Sequence, residues 1–554
     1  MVTQWWKEAV IYQIYARSFK DGNGDGVGDL RGLIEKLDYI KSLGVDAVWL
    51  NPIYMSPGVD GGYDISDYLS IDPLFGTMAD FDDLLQGLHQ RGIKLIIDIV
   101  VNHTSDQHYW FVESSKSVTN PYRNYYYWRS VEHMQPPNNW PSFFGGSAWQ
   151  FSPPTGEYYL HLFSKEQPDV NWENPAVRDE FKKIMTYWLN KGVDGLRLDA
   201  ITLISKHTDF PNTDTLSFNK TVERYYANGP RLKEFIYELR EEVWNKYGCF
   251  TVGEGPGITP ENVMDYLQPG QGMDMIFHFG HMFLDQGRGG RFDPVAWTLP
   301  VFKRIFASWD VALKESWPSI FLGNHDFPRM VSRWGNDRQY HKESAKLLLT
   351  LLLTLRGTPF IYQGDELGMT NLTLHSVAEA VDVESRNGWN IAQADGVTET
   401  EFLKCINYAG RDNARTPVQW NDSEYAGFST GKSWIPVNSN KALINVRKEE
   451  ADTDSILNYF RELVRKRKSL PALLHGKFKL VNEEDPFLFT FYRTVENQQL
   501  FVALNFSDKT VSIDLPKGEQ IIGNYPAKTE LSILRPWEAS IIQPAYEEPA
   551  TLGN

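Results

Sequence analysis

Cysteine is nearly absent from this chain. Cys249 and Cys405 are the only two among 554 residues, so neither a disulfide framework nor a thiolate metal cluster can organise the fold. Positive charge is in deficit: 55 Lys and Arg stand against 71 Asp and Glu, a net charge of −16. That sign argues against nucleic acid or an anionic membrane as partner and suits a neutral ligand. Long apolar runs are missing too. The longest, Leu347–Leu355, is interrupted by Thr350 and Thr354 and is too short to cross a bilayer. Residues 1–8 show no basic segment followed by an apolar one, so a cytoplasmic protein is expected. No internal repeat and no low-complexity tract occurs.

What is present is aromatic surface and a repeating rhythm. Phe, Trp and Tyr make up 14% of the chain; most must pack in cores, and flat apolar faces also suit sugar rings. The length calls for two or three domains. Val10–Tyr15 reads as a buried strand, Leu30–Leu43 as a helix, Val45–Asn51 as a strand, Met78–Arg91 as a helix and Ile93–Asn102 as a strand. This is the spacing of βαβ units and a parallel sheet. Residues 104–170, rich in Tyr, Trp, Asn and Pro without helical periodicity, read as an inserted irregular subdomain. The rhythm then resumes. Asn174-Pro175 offers an N-cap and a first-turn proline, and Val177, Phe181, Ile184, Met185, Trp188 and Leu189 follow at helical spacing.

Further strands are expected at Gly195–Ala200, Phe250–Gly253, Met275–Phe279, Ser319–Leu322 and Pro359–Gln363, with helices at Leu232–Lys246, Trp297–Lys314, Glu343–Leu355 and Asp454–Arg467. Eight strands, most followed by a helix, close into an α/β (β/α)8 TIM barrel, whose active site lies at the C-terminal strand ends. Polar residues gather at those ends: Asn102 and His103, Asp199, Glu254, His325 and Asp326. The division expected is 1–103 and 172–475 for the barrel, 104–171 for the inserted domain, a second irregular excursion at 372–440, and a C-terminal antiparallel β domain over 476–554.

Two stretches carry chemistry by themselves. In Gly195-Leu196-Arg197-Leu198-Asp199-Ala200, Arg197 and Asp199 are two apart on a strand and share a face. A guanidinium beside a carboxylate favours its charged form, as a nucleophile requires; a structural ion pair satisfies the same spacing. In Asp21-Gly22-Asn23-Gly24-Asp25-Gly26-Val27-Gly28-Asp29, oxygen-bearing side chains alternate with glycines. Asp21, Asn23, Asp25 and Asp29, with the Val27 carbonyl, make a candidate Ca2+ site resembling the first part of an EF-hand loop. No bidentate Glu follows at the twelfth position, and an acidic glycine turn without metal is the alternative. His103 and His108 are five apart, not the pair of a zinc helix. Cys249 precedes a buried strand and reads as core, and Arg415 either braces the loop that presents Arg411 or acts in the site itself. Trp149 and Trp172 are expected near a pocket rim.

Taken together, DIVVNH at Asp98–His103, GLRLDA at Gly195–Ala200, Glu254 after Thr251-Val252-Gly253, and Asn324-His325-Asp326 resemble the four signature regions of the α-amylase superfamily, glycoside hydrolase family 13. The run QPDVNW with Gln167 and Asp169, the Asp21–Asp29 loop, FFGGSAW at Phe143–Trp149 and RDNARTPVQW at Arg411–Trp420 resemble its oligo-1,6-glucosidase, α-glucosidase and sucrose isomerase branch. The resemblance covers nearly the whole chain. It implies that Asp199 is the nucleophile, Glu254 the general acid and base, and Asp326 the transition-state stabiliser. It further implies that Arg197, His103 and His325 hold the nucleophile and sugar hydroxyls, and that Asp60 and Arg411 close the pocket behind a terminal glucose. Tyr63 and Phe163 would pack on that ring, with Gln167 nearby. The chemistry needs these types: a carboxylate to capture the anomeric carbon and an acid opposite to protonate the leaving oxygen. Burial and neighbouring negative charge would keep Glu254 protonated.

The expected activity is retaining, exo-acting hydrolysis of short α-glucosides, namely maltose-type oligosaccharides, sucrose and isomaltose, by a monomer with one structural Ca2+ and no nucleic-acid or membrane partner. Sucrose isomerase (isomaltulose or trehalulose synthase) or α-glucosyltransferase is the alternative. Isomerases of the branch carry a charged RLDRD-type segment, where this chain has Phe283-Leu284-Asp285-Gln286-Gly287. They also carry an aromatic clamp, one member of which is replaced here by Pro256 while Phe279 matches the other. A non-catalytic transporter-associated relative would lack the three carboxylates, and an endo-acting cleft would be blocked by Asp60 and Arg411. Ala200, smaller than the Val typical of oligo-1,6 enzymes, favours maltose-type substrates and sucrose over isomaltose, by a partial margin of about 1–3 kcal/mol.

Overall fold

The computed structural model describes residues 4–130, 135–214, 217–526 and 532–545; the outermost ends of the first and last expected segments lie outside them. Eight strands form one sheet: Ile11–Ile14, Ala47–Leu50, Lys94–Val100, Gly195–Asp199, Phe250–Glu254, Met275–Phe277, Ser319–Ile320 and Thr358–Tyr362. All paired neighbours run parallel, in the order six-five-four-three-two-one-eight-seven. The ring closes between strands six and seven through a side chain, with Ser319 Oγ donating to the Ile276 carbonyl at 2.8 Å. The strands are buried almost end to end, as the apolar runs require of a sheet covered on both faces.

The helix Pro175–Asn190 shows how the sequence builds the outer layer. Asn174 accepts from the Ala176 N–H at 3.1 Å, and Pro175 occupies the first turn, where its missing N–H costs nothing. Val177, Phe181, Ile184, Met185, Trp188 and Leu189 are its buried stripe, each contributing about 1.5–3 kcal/mol when fully buried. The helix therefore delivers the chain into Gly195–Asp199 at a defined height. The expected helix Leu30–Leu43 is instead two short helices, Leu30–Glu35 and Leu37–Ser42, because Lys36 leaves helical geometry (φ −106°, ψ 9°).

The two excursions are more regular than their composition suggests. Within 104–170 the helix Tyr109–Ser114 precedes a three-stranded antiparallel sheet of Trp128–Ser130, Glu157–Leu160 and Trp149–Ser152. Within 372–440 stand the helices Val383–Ala394 and Glu399–Ala409. Their starts were legible: Asp382 accepts from the Ser385 N–H, and Thr398 with Glu401 forms a reciprocal capping box. From Lys477 onward a five-stranded antiparallel sheet packs beside the barrel. Lys303, on a barrel helix, fastens it by donating to the carbonyls of Asn482, Asp485 and Leu488 at 2.6–2.9 Å. Among the described residues no helix is long and apolar enough to cross a membrane.

The first excursion is pinned to the barrel by a buried charge pair. Lys206 Nζ lies 2.9 Å from Asp169 Oδ2, with both side chains fully buried. Lys206 also donates to Asn102 Oδ1 at 2.8 Å, and Asn102 Nδ2 donates to Asp169 Oδ2 at 3.1 Å. Removing one partner of such a pair strands a charge. Lys206→Ala should therefore cost about 3–5 kcal/mol of stability and open residues 104–171 to protease ahead of the barrel. Denaturant unfolding with limited proteolysis measures both; a cost under about 1 kcal/mol would mean the pair does not anchor the excursion.

Candidate active site

The site is built around one guanidinium. Arg197, 1% exposed, places Nη1 2.6 Å from Asp98 Oδ1 and 2.6 Å from Asp199 Oδ1, and Nη2 3.1 Å from Glu254 Oε2. Sheet register produces this. Asp98 pairs with Arg197 across strands three and four, and Leu198 pairs with Gly253 across strands four and five. Asp199 and Glu254 thus end neighbouring strands at the same level. Glu254 Oε2 also accepts the Ala200 backbone N–H at 3.0 Å, which the left-handed conformation of Ala200 (φ 47°, ψ 31°) aims at it.

Environment separates the two carboxyls. Burial raises Asp199 to about 6, against the pull of Arg197. Burial raises Glu254 further, to about 8; Arg197 opposes this, and the charges of Asp199 and Asp326 add to it. At neutral pH Asp199 is a carboxylate and Glu254 an acid, the division of roles that glycoside cleavage needs. Asp98, fully buried and also accepting from the Trp49 indole at 2.9 Å, is raised by burial to about 6.

Asp326, on the loop after strand seven, is held differently. Burial would raise it, but the guanidiniums of Arg411, Arg415 and Arg291 outweigh that and hold it well below the usual carboxylate range. Arg415 Nη2 is 2.9 Å and Arg411 Nη1 3.3 Å from its Oδ1. Burial lowers His325 to about 3, so its ring is neutral. Gln13 Nε2 sits 2.8 Å from His325 Nδ1; with that nitrogen accepting, the proton is assigned to Nε2, which lies 3.1 Å from Asp326 Oδ2.

Asp60 and Arg411 stand together in the pocket wall. Arg411 Nη2 lies 3.0 Å from Asp60 Oδ1, joining residues far apart in sequence. Burial raises Asp60 to about 6, with Arg411 and Arg415 opposing. Tyr63 stacks on the His325 ring (5.2 Å, 9°), and Phe163 leans on His103 and stacks on Phe143 (4.7 Å, 11°). Burial keeps the His103 ring neutral, down to about 4. A cavity of about 800 Å³, counted to its open mouth, is lined by Asp60, Tyr63, His103, Phe163, Asp199, Glu254, Asp326 and Arg411 from the expected set. Arg197, His325 and Gln167 stand behind that wall. Gln167 is fully buried; its Nε2 donates to Asp60 Oδ2 at 3.1 Å and lies 3.1 Å from His103 Nε2.

Several readings need correction. Trp172 stacks on Phe181 (5.3 Å, 14°) and Trp149 packs edge-on against Phe210 (5.2 Å, 84°), so both are core and neither lines the pocket. The Ala200 methyl, 1% exposed, packs in an apolar cluster to which Phe143 and Phe163 of the pocket wall also belong, so its size reaches the pocket through those rings and not as a lining group. Arg415 does more than brace Arg411, since it binds Asp326 directly and its Nε donates to the His325 carbonyl at 3.1 Å. Residues not anticipated are Asp382, 2.6 Å from Arg411, and Glu384 and Arg291, 2.9 Å apart at the mouth. The Asp382 cap was the signal that could have found the first two.

In the 21–29 loop, Asp21 Oδ1 and Asp29 Oδ2 converge on the Asn23 N–H at 3.0 and 3.2 Å. Asn23 Nδ2 donates to Asp25 Oδ2 at 3.0 Å, and Asp29 Oδ1 caps the following helix at the Gly32 N–H. Among the described residues no group of three or more His, Cys, Asp or Glu is drawn together as a metal cluster. An oxygen-only donor set of this kind would suit a hard cation.

Residues 13–476 match the family described as alpha amylase, catalytic domain. The chain is 50% identical over 552 residues to an oligo-1,6-glucosidase of Parageobacillus thermoglucosidasius, covering 97% of this chain and 98% of that one. It is 43% identical over 552 residues to an alpha-glucosidase of Pediococcus pentosaceus, covering 98% and 99%. Among solved structures, the isomaltulose synthase of Klebsiella sp. LX3 superposes with a TM-score of 0.95 at 43% identity, covering 98% of this chain and 100% of that one. With those matches on a barrel whose strand ends carry Asp199, Glu254 and Asp326, the chain belongs to the α-amylase family of glycoside hydrolases, family 13, in the branch of oligo-1,6-glucosidases and sucrose isomerases.

Proposed function

We propose that the protein is an exo-acting, retaining α-glucosidase that releases glucose from short α-glucosides: maltose-type oligosaccharides, sucrose and isomaltose. The observation that carries this is one pocket that brings together Asp199 and Glu254 on one guanidinium and Asp60 paired to Arg411. Glu254 protonates the glycosidic oxygen as Asp199 attacks the anomeric carbon. The leaving group departs, and Glu254, now a carboxylate, takes a proton from water as water displaces Asp199. Asp326 lines the same pocket as an ionised carboxylate, and a hydrogen bond it accepts from a sugar hydroxyl strengthens as the ring becomes cationic. The printed names of the relatives, oligo-1,6-glucosidase and alpha-glucosidase, support the reading.

Sucrose isomerisation or glucosyl transfer is the alternative, favoured by the structural likeness to isomaltulose synthase. Against isomerisation stands the Phe283–Gly287 segment. Its one charge, Asp285, is buried against Arg333 (2.5 Å) and the Tyr408 hydroxyl (2.7 Å), so nothing charged there is free to retain fructose. Given maltose, sucrose and isomaltose, the enzyme should liberate glucose, first as the α-anomer by NMR. Isomaltulose or trehalulose as the main product from sucrose would replace hydrolysis by isomerisation, and β-glucose formed first would exclude double displacement.

The pH profile follows from the two carboxyls. Asp199 must be ionised, so activity falls as pH drops through about 6. Glu254 must be protonated, so it falls as pH rises through about 8. We expect a bell in kcat/KM with those limbs, belonging to the coupled pair. Glu254→Gln should erase the alkaline limb on an aryl glucoside whose leaving group needs no acid; a limb that survives would assign the acid elsewhere.

We further propose that the Asp21–Asp29 loop holds one Ca2+ as a clamp remote from the chemistry. The alternation of Asp21, Asn23, Asp25 and Asp29 with glycines supports it. Binding to the folded state alone raises stability by mass action. EDTA should lower Tm by a few degrees, with recovery on adding Ca2+ and no change in kcat at low temperature. An unmoved Tm together with no heat of Ca2+ binding would remove the site. The same reading makes the protein a cytoplasmic monomer; both cysteines are free, as a reducing compartment permits, and sedimentation at the mass of one chain is the check.

A further inference from the structure

Strand one, Ile11–Ile14, carries a single amide, Gln13, in an otherwise apolar and aromatic run, and buries it to 1% exposure. Its Nε2 donates to Asn51 Oδ1 at 3.0 Å and lies 2.8 Å from His325 Nδ1. Through these two contacts Gln13 stands between two carboxylates. On one side Asn51 Nδ2 donates to the Tyr63 hydroxyl at 2.6 Å and to Asp98 Oδ2 at 3.3 Å, and Asp98 is held by Arg197. On the other side His325 Nε2 lies 3.1 Å from Asp326 Oδ2.

The direction of each hydrogen bond along this chain follows from its first carboxylate. Asp98 is ionised at neutral pH and can only accept. Asn51 must therefore turn its amino group to Asp98 and its oxygen to Gln13. Gln13 in turn must offer its amino group, both to that oxygen and to His325 Nδ1. Asn51 Nδ2 is also 3.4 Å from Nδ1, a second amino group and no acceptor. A ring nitrogen that meets donors keeps its lone pair, so the one proton of the neutral imidazole stands on Nε2 and faces Asp326. Turned over, the Gln13 amide would set oxygen against oxygen at Asn51 and draw the ring proton to Nδ1. Asp326 would then meet a lone pair, and burial makes such a mismatch expensive. We propose that Gln13 is a positioning residue of this site: it sets His325 as the Nε2–H tautomer and, through that proton, holds Asp326 in place for the reacting ring. The inference rests on the glucosidase reading and adds to it a residue outside the pocket lining.

The test reads the tautomer directly. The whole enzyme is labelled with nitrogen-15 in histidine, and His325 is assigned by the resonances lost in His325→Asn. Wild type should show a protonated Nε2 and a bare Nδ1. The charges bearing on this ring are Asp326, Arg415, Arg197 and Arg411, and the rings against it are Tyr63, Tyr15 and Trp49. Of these only Asp326 favours a second proton. Gln13→Glu adds a carboxylate at Nδ1 and should draw a proton there. At low pH the ring then carries both protons and Asp326 keeps its donor. At higher pH the one proton left goes to the closer carboxylate, at Nδ1. The alkaline limb of kcat/KM should therefore move down by about one unit or more, which a merely structural role would not cause. Gln13→Met, with neither donor nor acceptor, should lower kcat by about tenfold or more and leave the limbs where they are. A wild-type ring protonated at Nδ1 overturns the proposal whether or not the variants fold. So does Gln13→Glu with the tautomer and the alkaline limb of wild type. No glucose from maltose, sucrose or isomaltose with the wild-type enzyme overturns the glucosidase reading instead, and the tautomer, read without substrate, tells the two failures apart.

Discussion

The site depends on one buried positive charge shared among too many negative ones. Arg197 touches Asp98, Asp199 and Glu254 within 3.1 Å. One guanidinium cannot offset three carboxylates in a medium with little water, so one of them must keep its proton. Geometry selects which. Asp98 and Asp199 both take Nη1 at 2.6 Å, while Glu254 is a little farther, at Nη2, and feels both Asp199 and Asp326. The proposed acid and nucleophile are thus set apart by one shortage of charge. The shortage is imposed by three adjacent parallel strands whose register leaves no other arrangement.

The far end of the pocket is better supplied with positive charge. Arg411 and Arg415 stand among Asp60, Asp326, Asp382 and Glu384. Here cations are close enough to hold Asp326 ionised. A sugar ring between the two ends sees a fixed negative charge on one side and a proton donor on the other. These groups come from rigid elements. The buried Asp382 cap carries Glu384 into the first turn of Val383–Ala394, and Lys206–Asp169 ties the first excursion to the barrel. Preorganised charge of this kind does not need to reorient as the reaction proceeds.

Much of the molecule was legible in one dimension because its signals are local. Apolar spacing marked the helix Pro175–Asn190 and the barrel strands, strand ends carried the polar residues, and short signatures in order identified the family before any contact was seen. Where local signals were passed over, structure was missed: Asp382 and the Thr398–Glu401 box announced two helices in a stretch taken as irregular. Composition misled in the other direction. Trp149 and Trp172 resemble rim residues in sequence, yet both are buried against other aromatics, because the hydrophobic effect rewards burial irrespective of what else a ring could bind.

By itself, then, the sequence determined which elements form, in what order, and which side chains stand at the strand ends, since those follow from periodicities of two and 3.6 and from caps within a few residues. Only the tertiary structure decided how those side chains act on one another. Asp60 and Arg411 are 351 residues apart and meet at 3.0 Å. Burial holds the Glu254 proton, and the Ala200 backbone N–H meets Glu254, only in that setting. Charge, burial and hydrogen bonding act through space and depend on the dielectric around each group, and no local pattern along the chain encodes either distance or dielectric.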